Sequence, residues 1–285
     1  MSEHYEEYLT LGLITTRVGY RGKNNPPMSK LEEYESRREL REGFEQLFRA
    51  VNKPQIILAP ELSTPRSFIK ELEKHACALS SICIFGIDYL LNYTATPRTA
   101  KNEIIIMVPD RWPRRNYNRK TYRFSIFKSN PAPDETKKLL LNNWTFSADN
   151  RLWLFDAGPY GVIGVANCYD FLDVEMHLLY RAKIQHLFVL SYNKDFNSFW
   201  HTAESLCRTL FCNVVVCNTG YYGGSVCVSP YDAPHERTIF RAEGRKLFTT
   251  QVIKLPVKKI IKKQRSIESD NELKELPPGF LHYTS

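Results

Sequence analysis

The chain has 285 residues, of which 43% are hydrophobic and 25% are charged, and its formal net charge is +8. This composition excludes an intrinsically disordered chain, because enough apolar surface is available to offset the entropy lost on folding. The longest apolar runs, such as 162–166 and 214–217, are far shorter than the roughly 20 residues that a membrane-spanning helix requires, so we expect no membrane span. We predict one large domain at 1–256, and a charged C-terminal tail at 257–285 that is mobile or bound to a partner.

The seven cysteines are an odd number, and no two of them form a Cys-x-x-Cys pair. The first residues of the chain are acidic, whereas a secretory signal would have basic residues followed by an apolar stretch. Together these features predict reduced thiols and a cytoplasmic location. The cysteines and histidines also lack the short paired spacing of zinc ligands, so we expect no metal and no cofactor.

The first half of the chain alternates apolar runs with amphipathic segments. Residues 31–51 predict a helix, because Leu40, Phe44 and Leu47 recur at steps of three and four residues. Runs rich in β-branched and other apolar residues, bounded by turn residues, predict strands. In chain order, the predicted elements are a strand at 9–18, a helix at 31–51, a strand at 56–59, a helix at 67–79, and strands at 82–92, 103–108 and 122–127.

The second half begins with a segment, 129–150, that contains two prolines, four asparagines and few periodic apolar residues. We predict a long irregular excursion there, of the kind that often lines a binding site. Strands and helices then alternate again, which predicts α/β layering. The predicted strands are 153–155, 161–166, 186–190, 214–218, 225–228, 238–241 and 247–253, and the predicted helices are 174–183 and 199–211.

Three polar residues at the ends of predicted strands could carry chemistry. Cys168 follows a buried strand at a turn towards a helix, where exposed backbone N–H groups would favour a thiolate and could hold an oxyanion. Glu61 also follows a buried strand, where partial desolvation suits a general base, and Lys120 precedes a strand and could supply a fixed positive charge. Each residue alone also fits an ordinary role: a structural cysteine, a helix-capping or solvated acid, and one more cation in a basic run.

Taken together, these residues resemble the three signature segments of the nitrilase (carbon-nitrogen hydrolase) superfamily, which hold Glu, Lys and Cys in that order. Pro-Glu-Leu at 60–62, Arg-Lys-Thr-Tyr at 119–122 and Cys-Tyr-Asp at 168–170 resemble these segments, and the last match is the most specific. Leu-Ser-Tyr-Asn at 190–193 and the stretch 208–220 resemble segments that follow in the family. The resemblance covers about residues 9–255.

The chain departs from the family's pattern at several positions. Tyr122 stands where the family usually has His, Cys212 stands near a usual Glu, and the first strand lacks the usual Gln. The separation between Lys120 and Cys168 is also long for the family, which leaves Lys128 as the alternative catalytic lysine.

The resemblance implies an α/β fold, a four-layer α-β-β-α sandwich of the nitrilase type, and a homodimer or larger homo-oligomer. It implies a hydrolase that cleaves a non-peptide carbon–nitrogen bond of a small amide-like substrate, with amides favoured over nitriles. Cys168 would form a thioester acyl-enzyme, Glu61 would act as general base, and Lys120 would stabilise the tetrahedral anion. The substrate-binding candidates that it implies are Glu135, Tyr169 and Asn193.

A different class of function stays open, namely a catalytically idle module of this fold that binds a partner or nucleic acid. Its basis is two basic segments, 111–123 and 254–265, which each hold six basic residues. The first segment also contains Trp112, Tyr117 and Tyr122, whose rings could stack on bases. Acyl transfer to a nucleophile other than water is a third alternative.

Overall fold

The computed structural model describes residues 4–17, 26–114, 118–265 and 271–280. Within these residues the chain forms two sheets and seven α-helices. The strands are β1 (Tyr8–Thr15), β2 (Ile56–Thr64), β3 (Ile82–Asn92), β4 (Thr99–Pro109), β5 (Thr121–Phe127), β6 (Thr145–Phe146), β7 (Leu154–Asp156), β8 (Val162–Asn167), β9 (His186–Ser191), β10 (Asn213–Asn218), β11 (Ser225–Val228), β12 (Thr238–Ala242) and β13 (Thr249–Pro256). The helices are α1 (Lys30–Arg49), α2 (Ile69–Leu79), α3 (Pro133–Leu141), α4 (Val174–Tyr180), α5 (Phe196–Leu206), α6 (Pro234–Arg237) and α7 (Lys258–Gln264). In the described part of the chain, no helix is both long and apolar enough to cross a membrane.

Each sheet has parallel strands at its centre. The first sheet has the order β13-β1-β2-β3-β4-β5, with β6 beside β4, and β1, β2 and β3 are parallel. The second sheet has the order β12-β11-β10-β9-β8-β7, and β8, β9 and β10 are parallel. Because β4 is antiparallel to both β3 and β5, β5 runs in the same direction as β2 and β3. The carboxyl ends of β2, β3 and β5 therefore lie at the same edge of the first sheet.

Alternate residues of the central strands face opposite sides of their sheet, and this alternation produces four layers. Leu58 and Ile84 of the first sheet pack with Val165, Phe188 and Val215 of the second sheet in a core between the two sheets. The outer face of the first sheet packs against α1 and α2, and the outer face of the second sheet packs against α4 and α5. The layer order is α-β-β-α, which confirms the predicted four-layer sandwich.

Most of the predicted strands and helices are present, with shifted ends. The predicted strand 9–18 corresponds to β1, although residue 18 lies outside the described residues. The predicted helix 199–211 begins earlier, at Phe196, and after α5 it continues as a π-helical turn, Cys207–Phe211.

The segment 129–150 differs from the prediction of a long irregular excursion. It contains α3 and the short strand β6, which pairs with the start of β4. Helix α3 leaves little periodic pattern in the sequence, because Leu139 is its one buried residue. Local signals nevertheless set its start: Pro133 occupies the first turn, and the backbone N–H of Ala132 donates a hydrogen bond to the Glu135 carboxylate.

The C-terminal segment differs from the prediction of a mobile or partner-bound tail. Ile260 of α7, Leu273 and Phe280 form a buried cluster with Phe211 of the π-helical turn. A few widely spaced apolar side chains in a charged segment therefore anchor residues 257–265 and 271–280 to the rest of the protein. Residues 266–270 and 281–285 of the predicted tail lie outside the described residues.

Candidate active site

Strands from both sheets place polar groups around one cavity. Glu61 lies in the last part of β2, Lys128 directly follows β5, Cys168 directly follows β8 and Tyr192 directly follows β9. Because the two sheets face each other, these four residues meet as part of the lining of the same cavity.

The backbone around Glu61 is irregular and closely packed. The pairing of β2 with β3 shifts register near this residue, and the next residue, Leu62, has a φ of 52°. Gly86 of β3 lies against the irregular stretch, where a Cβ atom would come within 2.4 Å of the Cα atom of Glu61. Glycine at this position therefore permits the close approach of the two strands that sets the position of Glu61.

Cys168 lies at a sharp turn between a strand and a helix. Its φ of 52° is in the left-handed region that residues with a Cβ atom rarely adopt, and it begins a short 3-10 helix, Cys168–Leu172. Helix α4 follows, and its first backbone N–H groups are capped by the Asp173 carboxylate. The arrangement matches the turn that the sequence predicts for this cysteine.

Lys128 is buried between two carboxylates. Its Nζ lies 2.8 Å from Oε1 of Glu61 and 2.6 Å from Oε2 of Glu135. Burial by itself would lower the pKa of Lys128, but the charges of Glu135 and Glu61 outweigh it and raise the pKa well above its ordinary value. Lys128 is therefore a fixed cation at neutral pH.

Glu135 is held in place by several further donors. It accepts hydrogen bonds from the Tyr89 hydroxyl at 2.7 Å, from the Asn102 side-chain amide at 2.9 Å and from the backbone N–H of Ala132 at 3.3 Å. Burial raises the pKa of Glu135, but the charge of Lys128 and these hydrogen bonds together bring it below its ordinary value. Glu135 is therefore ionised and fixed against the lysine.

Glu61 lies between the cation and the thiol. Its Oε1 also accepts a hydrogen bond from the Asn102 amide at 2.8 Å, and its Oε2 accepts one from the backbone N–H of Tyr192 at 2.9 Å. Burial raises the pKa of the Cys168 thiol well above its ordinary value, the charge of Glu61 raises it further, and the charge of Lys128 acts in the opposite direction. The resting cysteine is therefore a thiol, and a reaction at its sulfur would require a base to take the thiol proton.

The cavity at these residues has a volume of about 310 Å³, at the lower end of the range for small-molecule sites. Its walls combine tyrosines with apolar side chains, which include Leu62 and Phe199. Of the residues predicted for the site, those that line the cavity are Glu61, Glu135, Cys168, Tyr169 and Asn193. Within the described residues, no group of three or more His, Cys, Asp or Glu side chains could hold a metal ion.

Lys120 does not belong to this group, and the prediction that it does is corrected. Its side chain is exposed, and its ammonium lies over the ring of Tyr122, 5.7 Å from the ring centroid. Lys120 precedes β5 whereas Lys128 follows it, and this seven-residue strand is about 23 Å long. The lysine at the site is Lys128, and the sequence signal for it is the long separation between Lys120 and Cys168.

Two further residues donate hydrogen bonds to the carboxylates of this site but are absent from the residues that the sequence predicts. They are Tyr89 and Asn102. Both lie inside strands, β3 and β4, next to charged residues: Tyr89 follows Asp88, and Asn102 stands between Lys101 and Glu103. In the sequence they therefore resemble ordinary polar positions of a strand. Nothing in the local pattern distinguishes them, because their role depends on which side chains the two sheets bring together.

The sequence matches no protein-family model and no curated protein. Nit3 of Saccharomyces cerevisiae, a member of branch 10 of the nitrilase superfamily, is 14% identical, and 92% of this chain and 95% of that chain superimpose with a TM-score of 0.60. XC1258 of Xanthomonas campestris, a CN-hydrolase superfamily protein, is 10% identical, with 94% and 100% covered and a TM-score of 0.63. An amidase from Nesterenkonia sp. is 13% identical, with 93% and 97% covered and a TM-score of 0.59. This chain has the fold of the nitrilase superfamily.

The nitrilase-superfamily fold accounts for the meeting of segments that are far apart in the sequence. Parallel and antiparallel pairing directs the ends of β2 and β5 to one edge of the first sheet, and β8 and β9 end opposite them in the second sheet. Glu61, Lys128, Cys168 and Tyr192 are therefore brought to one cavity by the pairing of the strands that precede or contain them.

Proposed function

We propose that this protein is a carbon-nitrogen hydrolase that cleaves small amides through a cysteine thioester. The observation that carries the proposal is the meeting of a carboxylate, an ammonium and a thiol, from Glu61, Lys128 and Cys168, in one small cavity. Amides are favoured over nitriles because the structural relatives include amidases. A variant of the Nesterenkonia amidase, 14% identical to this chain, carries the acetamide moiety of fluoroacetamide covalently at its active-site cysteine.

In the first step, the sulfur of Cys168 attacks the amide carbon while Glu61 accepts the thiol proton. The electron pair of the carbonyl double bond moves onto the oxygen. The ammonium of Lys128 and the backbone N–H of Tyr169 stabilise the resulting anion, since both are fixed before the charge develops. The low exposure of the cluster strengthens this stabilisation, because little water competes for the oxyanion.

In the second step, the protonated Glu61 gives its proton to the nitrogen as the carbon–nitrogen bond breaks, which leaves a thioester on Cys168 and releases the amine. Glu61 then takes a proton from water while the water oxygen attacks the thioester carbon. The carbon–sulfur bond breaks, the thiol regains a proton and the acid leaves. Throughout the cycle Glu135 holds Lys128 in place and lies at the cavity wall, where it can position the substrate.

Ammonia release from short aliphatic amides such as propionamide tests the proposal. Cys168→Ala should lower kcat/KM by about 10⁴-fold or more, and Lys128→Met by about 10²-fold to 10³-fold because an oxyanion donor is lost. Circular dichroism must accompany Lys128→Met, because the carboxylates of Glu61 and Glu135, which have little contact with solvent, lose their cation. The controls Lys120→Met and Cys217→Ala change residues outside the cavity and should keep wild-type activity. Retained turnover in Cys168→Ala would contradict the proposed nucleophile.

We also propose that copies of this chain associate through α4. Val174, Leu178 and Leu179 of this helix are 67%, 55% and 52% exposed, so they form an apolar patch that a partner could cover. Sedimentation velocity should give the mass of two or more chains, and Leu178→Asp should shift the protein towards the mass of one. A wild-type protein that sediments as a single chain would rule out this association.

A second candidate function rests on the exposed surface of β5 and the residues before it. Cations interleave there with aromatic rings, as on surfaces that bind single-stranded nucleic acid. In this alternative the protein is catalytically idle and binds nucleic acid or an acidic partner. Binding of an oligoribonucleotide that weakens steeply with salt, in a protein without amidase activity, would favour it. The exposed residues of this surface are Arg119, Lys120, Tyr122, Arg123 and Phe124, while Tyr117 lies outside the described residues.

The second basic segment, 254–265, gives this alternative less support than the sequence suggests. Lys258, Lys259 and Lys263 form ion pairs with glutamates of the same chain. These pairs connect α7 to the N-terminal and C-terminal segments, so their charges are partly neutralised within the protein.

A further inference from the structure

Asn102 lies inside strand β4 and contacts three charged residues of the site, Glu61, Lys128 and Glu135. Its side-chain nitrogen donates hydrogen bonds to Oε1 of Glu61 at 2.8 Å and to Oε1 of Glu135 at 2.9 Å. Its backbone oxygen accepts a hydrogen bond from the backbone N–H of Lys128 at 3.0 Å. The side chain of Asn102 is fully buried.

The orientation of the Asn102 amide is fixed by a second asparagine. Its Oδ1 accepts a hydrogen bond from Nδ2 of Asn167 at 3.1 Å, so its NH₂ group must face the two carboxylates. Asn167 directly precedes Cys168, and it is also buried. The amide therefore connects the carboxylates of the first sheet to the strand of the second sheet that carries the nucleophile.

The charges of Glu61, Glu135 and Lys128 explain why a neutral amide suits the position of Asn102. Two carboxylates share one ammonium, so the group holds one negative charge more than Lys128 can balance. Repulsion between the carboxylates would favour a proton on one of them. A second cation would suppress that proton, but it would also weaken the attraction of Glu61 for the thiol proton. An amide supplies one N–H to each carboxylate, carries no charge and does not titrate.

We propose that Asn102 is a positioning residue that holds the Glu61 carboxylate in place and directed towards Cys168, with Glu135 and Lys128 held beside it. The inference rests on the proposed function, because it assigns Glu61 the role of base. Asn102 does not touch the reacting atoms. It acts on the base through two hydrogen bonds, and Asn167 maintains the orientation of those bonds.

The rate of Cys168 alkylation by iodoacetamide, measured against pH, tests this role. In that reaction a sulfur–carbon bond forms, iodide leaves and Glu61 takes the thiol proton, so the rate reports the base without requiring turnover. Mass spectrometry of the peptide that contains Cys168 separates this thiol from the others. The acid limb of this profile is the fall in alkylation rate at low pH, where the base holds a proton. Glu61→Gln should remove the acid limb, which would assign it to Glu61.

Asn102→Asp is the decisive variant, because it keeps the size of the side chain and replaces the donor by a third carboxyl group. Alkylation of Cys168 at neutral pH should become about tenfold to hundredfold slower, as expected when a hydrogen bond to a charged group is lost. The acid limb should move to higher pH, because loss of a donor and addition of a like charge both favour protonated carboxylates. Asn167→Ser removes only the bond that orients the amide, and should move the limb in the same direction by less.

Asn213→Asp provides the matched control. Asn213 is an equally buried asparagine in β10, and its amide donates to the Pro256 carbonyl oxygen at 2.8 Å, away from the cavity. It should lower the thermal stability and leave the pH profile of Cys168 unchanged. A folded Asn102→Asp protein whose profile superimposes on that of the wild type would overturn the inference. If Glu61→Gln leaves the wild-type acid limb in place, the proposed base itself is wrong, which is a separate result.

Discussion

At the scale of single residues, Asp170 connects the two halves of the site. It lies two residues after Cys168, and its carboxylate accepts hydrogen bonds from the backbone N–H groups of Ser129 at 3.1 Å and Asn130 at 2.6 Å. These two residues directly follow Lys128. Asp170 therefore connects the turn that carries Cys168 to the strand end that carries Lys128.

Asp170 also makes the stability of the protein depend on pH. Burial raises its pKa from an ordinary value of 3.8 to about 6, against the opposing effect of its two backbone hydrogen bonds. Between these two values the folded protein binds more protons at this position than the unfolded chain. The contribution of Asp170 to stability is therefore fully present below about pH 4 and is lost as the pH rises through about 6.

A comparison with Asp170→Asn, which cannot titrate at this position, isolates the effect. The free energy of unfolding of the wild type relative to the variant should fall by up to about 3 kcal/mol between pH 4 and pH 7. Urea unfolding of both proteins at several pH values in this range measures the difference. A difference that stays constant with pH would show that the raised pKa of Asp170 is wrong.

Two of the residues that line the cavity can be found from the sequence alone. The segments around Glu61 and Cys168 stand out because each polar residue comes at the end of an apolar strand, and both line the cavity. The lysine is misassigned because the basic run that contains Lys120 resembles a family segment, whereas Lys128 stands after a strand with only partly apolar residues. Asn102 leaves no signal, since its contacts join residues from both sheets.

At the scale of secondary-structure elements, the close approach of the paired strands β2 and β3 holds the backbone of Glu61 in place. Gly86 of β3 lies against the backbone of β2, where an added Cβ atom would come within 2.3 Å of the Pro60 carbonyl oxygen. These neighbouring atoms belong to the backbone, so the strand itself would have to move. A shift of this kind would carry the carboxylate away from Cys168.

Gly86→Ala should therefore lower kcat/KM for propionamide by about 100-fold, which is the expected effect of displacing a catalytic group by roughly 1 Å. Gly12→Ala is the matched control, because its Cβ atom would meet only side-chain atoms, the end of Leu47 at 3.0 Å and the ring of Pro54 at 3.2 Å. It should cost some thermal stability and leave activity intact. Wild-type activity in Gly86→Ala would show instead that the close approach of β2 and β3 does not set the position of Glu61.

The elements themselves are predicted unevenly, for a physical reason. Strands such as β8 and β10 are buried on both faces and form apolar runs that the sequence displays directly. Helix α3 buries a single residue, Leu139, so its sequence lacks the periodicity of a packed helix. The missed helix contributes to the cavity, because its first turn supplies Glu135, which contacts Lys128.

At the scale of the whole molecule, the two sheets and the C-terminal segment form one packed body. Phe280 is 1% exposed, and its ring meets that of Phe211 edge to face, with centroids 6.1 Å apart. Through this contact the C-terminal segment packs against the π-helical turn that follows α5. The C-terminal segment therefore contributes to the stability of the fold on which the site depends.

Phe280→Ala should lower the free energy of unfolding by about 3 to 5 kcal/mol, because a buried aromatic ring is replaced by a cavity. Urea unfolding followed by circular dichroism measures this change. Tyr34→Ala removes a ring that is 65% exposed, and should change stability by about 0.5 kcal/mol or less. An equally small effect of Phe280→Ala would mean that the segment is not anchored in solution.

The central claim, that Glu61, Lys128 and Cys168 act together on an amide carbon, is tested most directly by trapping the acyl-enzyme. Propionamide mixed with the protein and quenched with acid should give a propionyl mass increment on the peptide that contains Cys168. Hydroxylamine should remove the increment, as expected for a thioester, and Glu61→Gln should slow its formation. A folded protein that hydrolyses the amide without an increment on Cys168, or that carries the acyl group on another residue, would contradict the account.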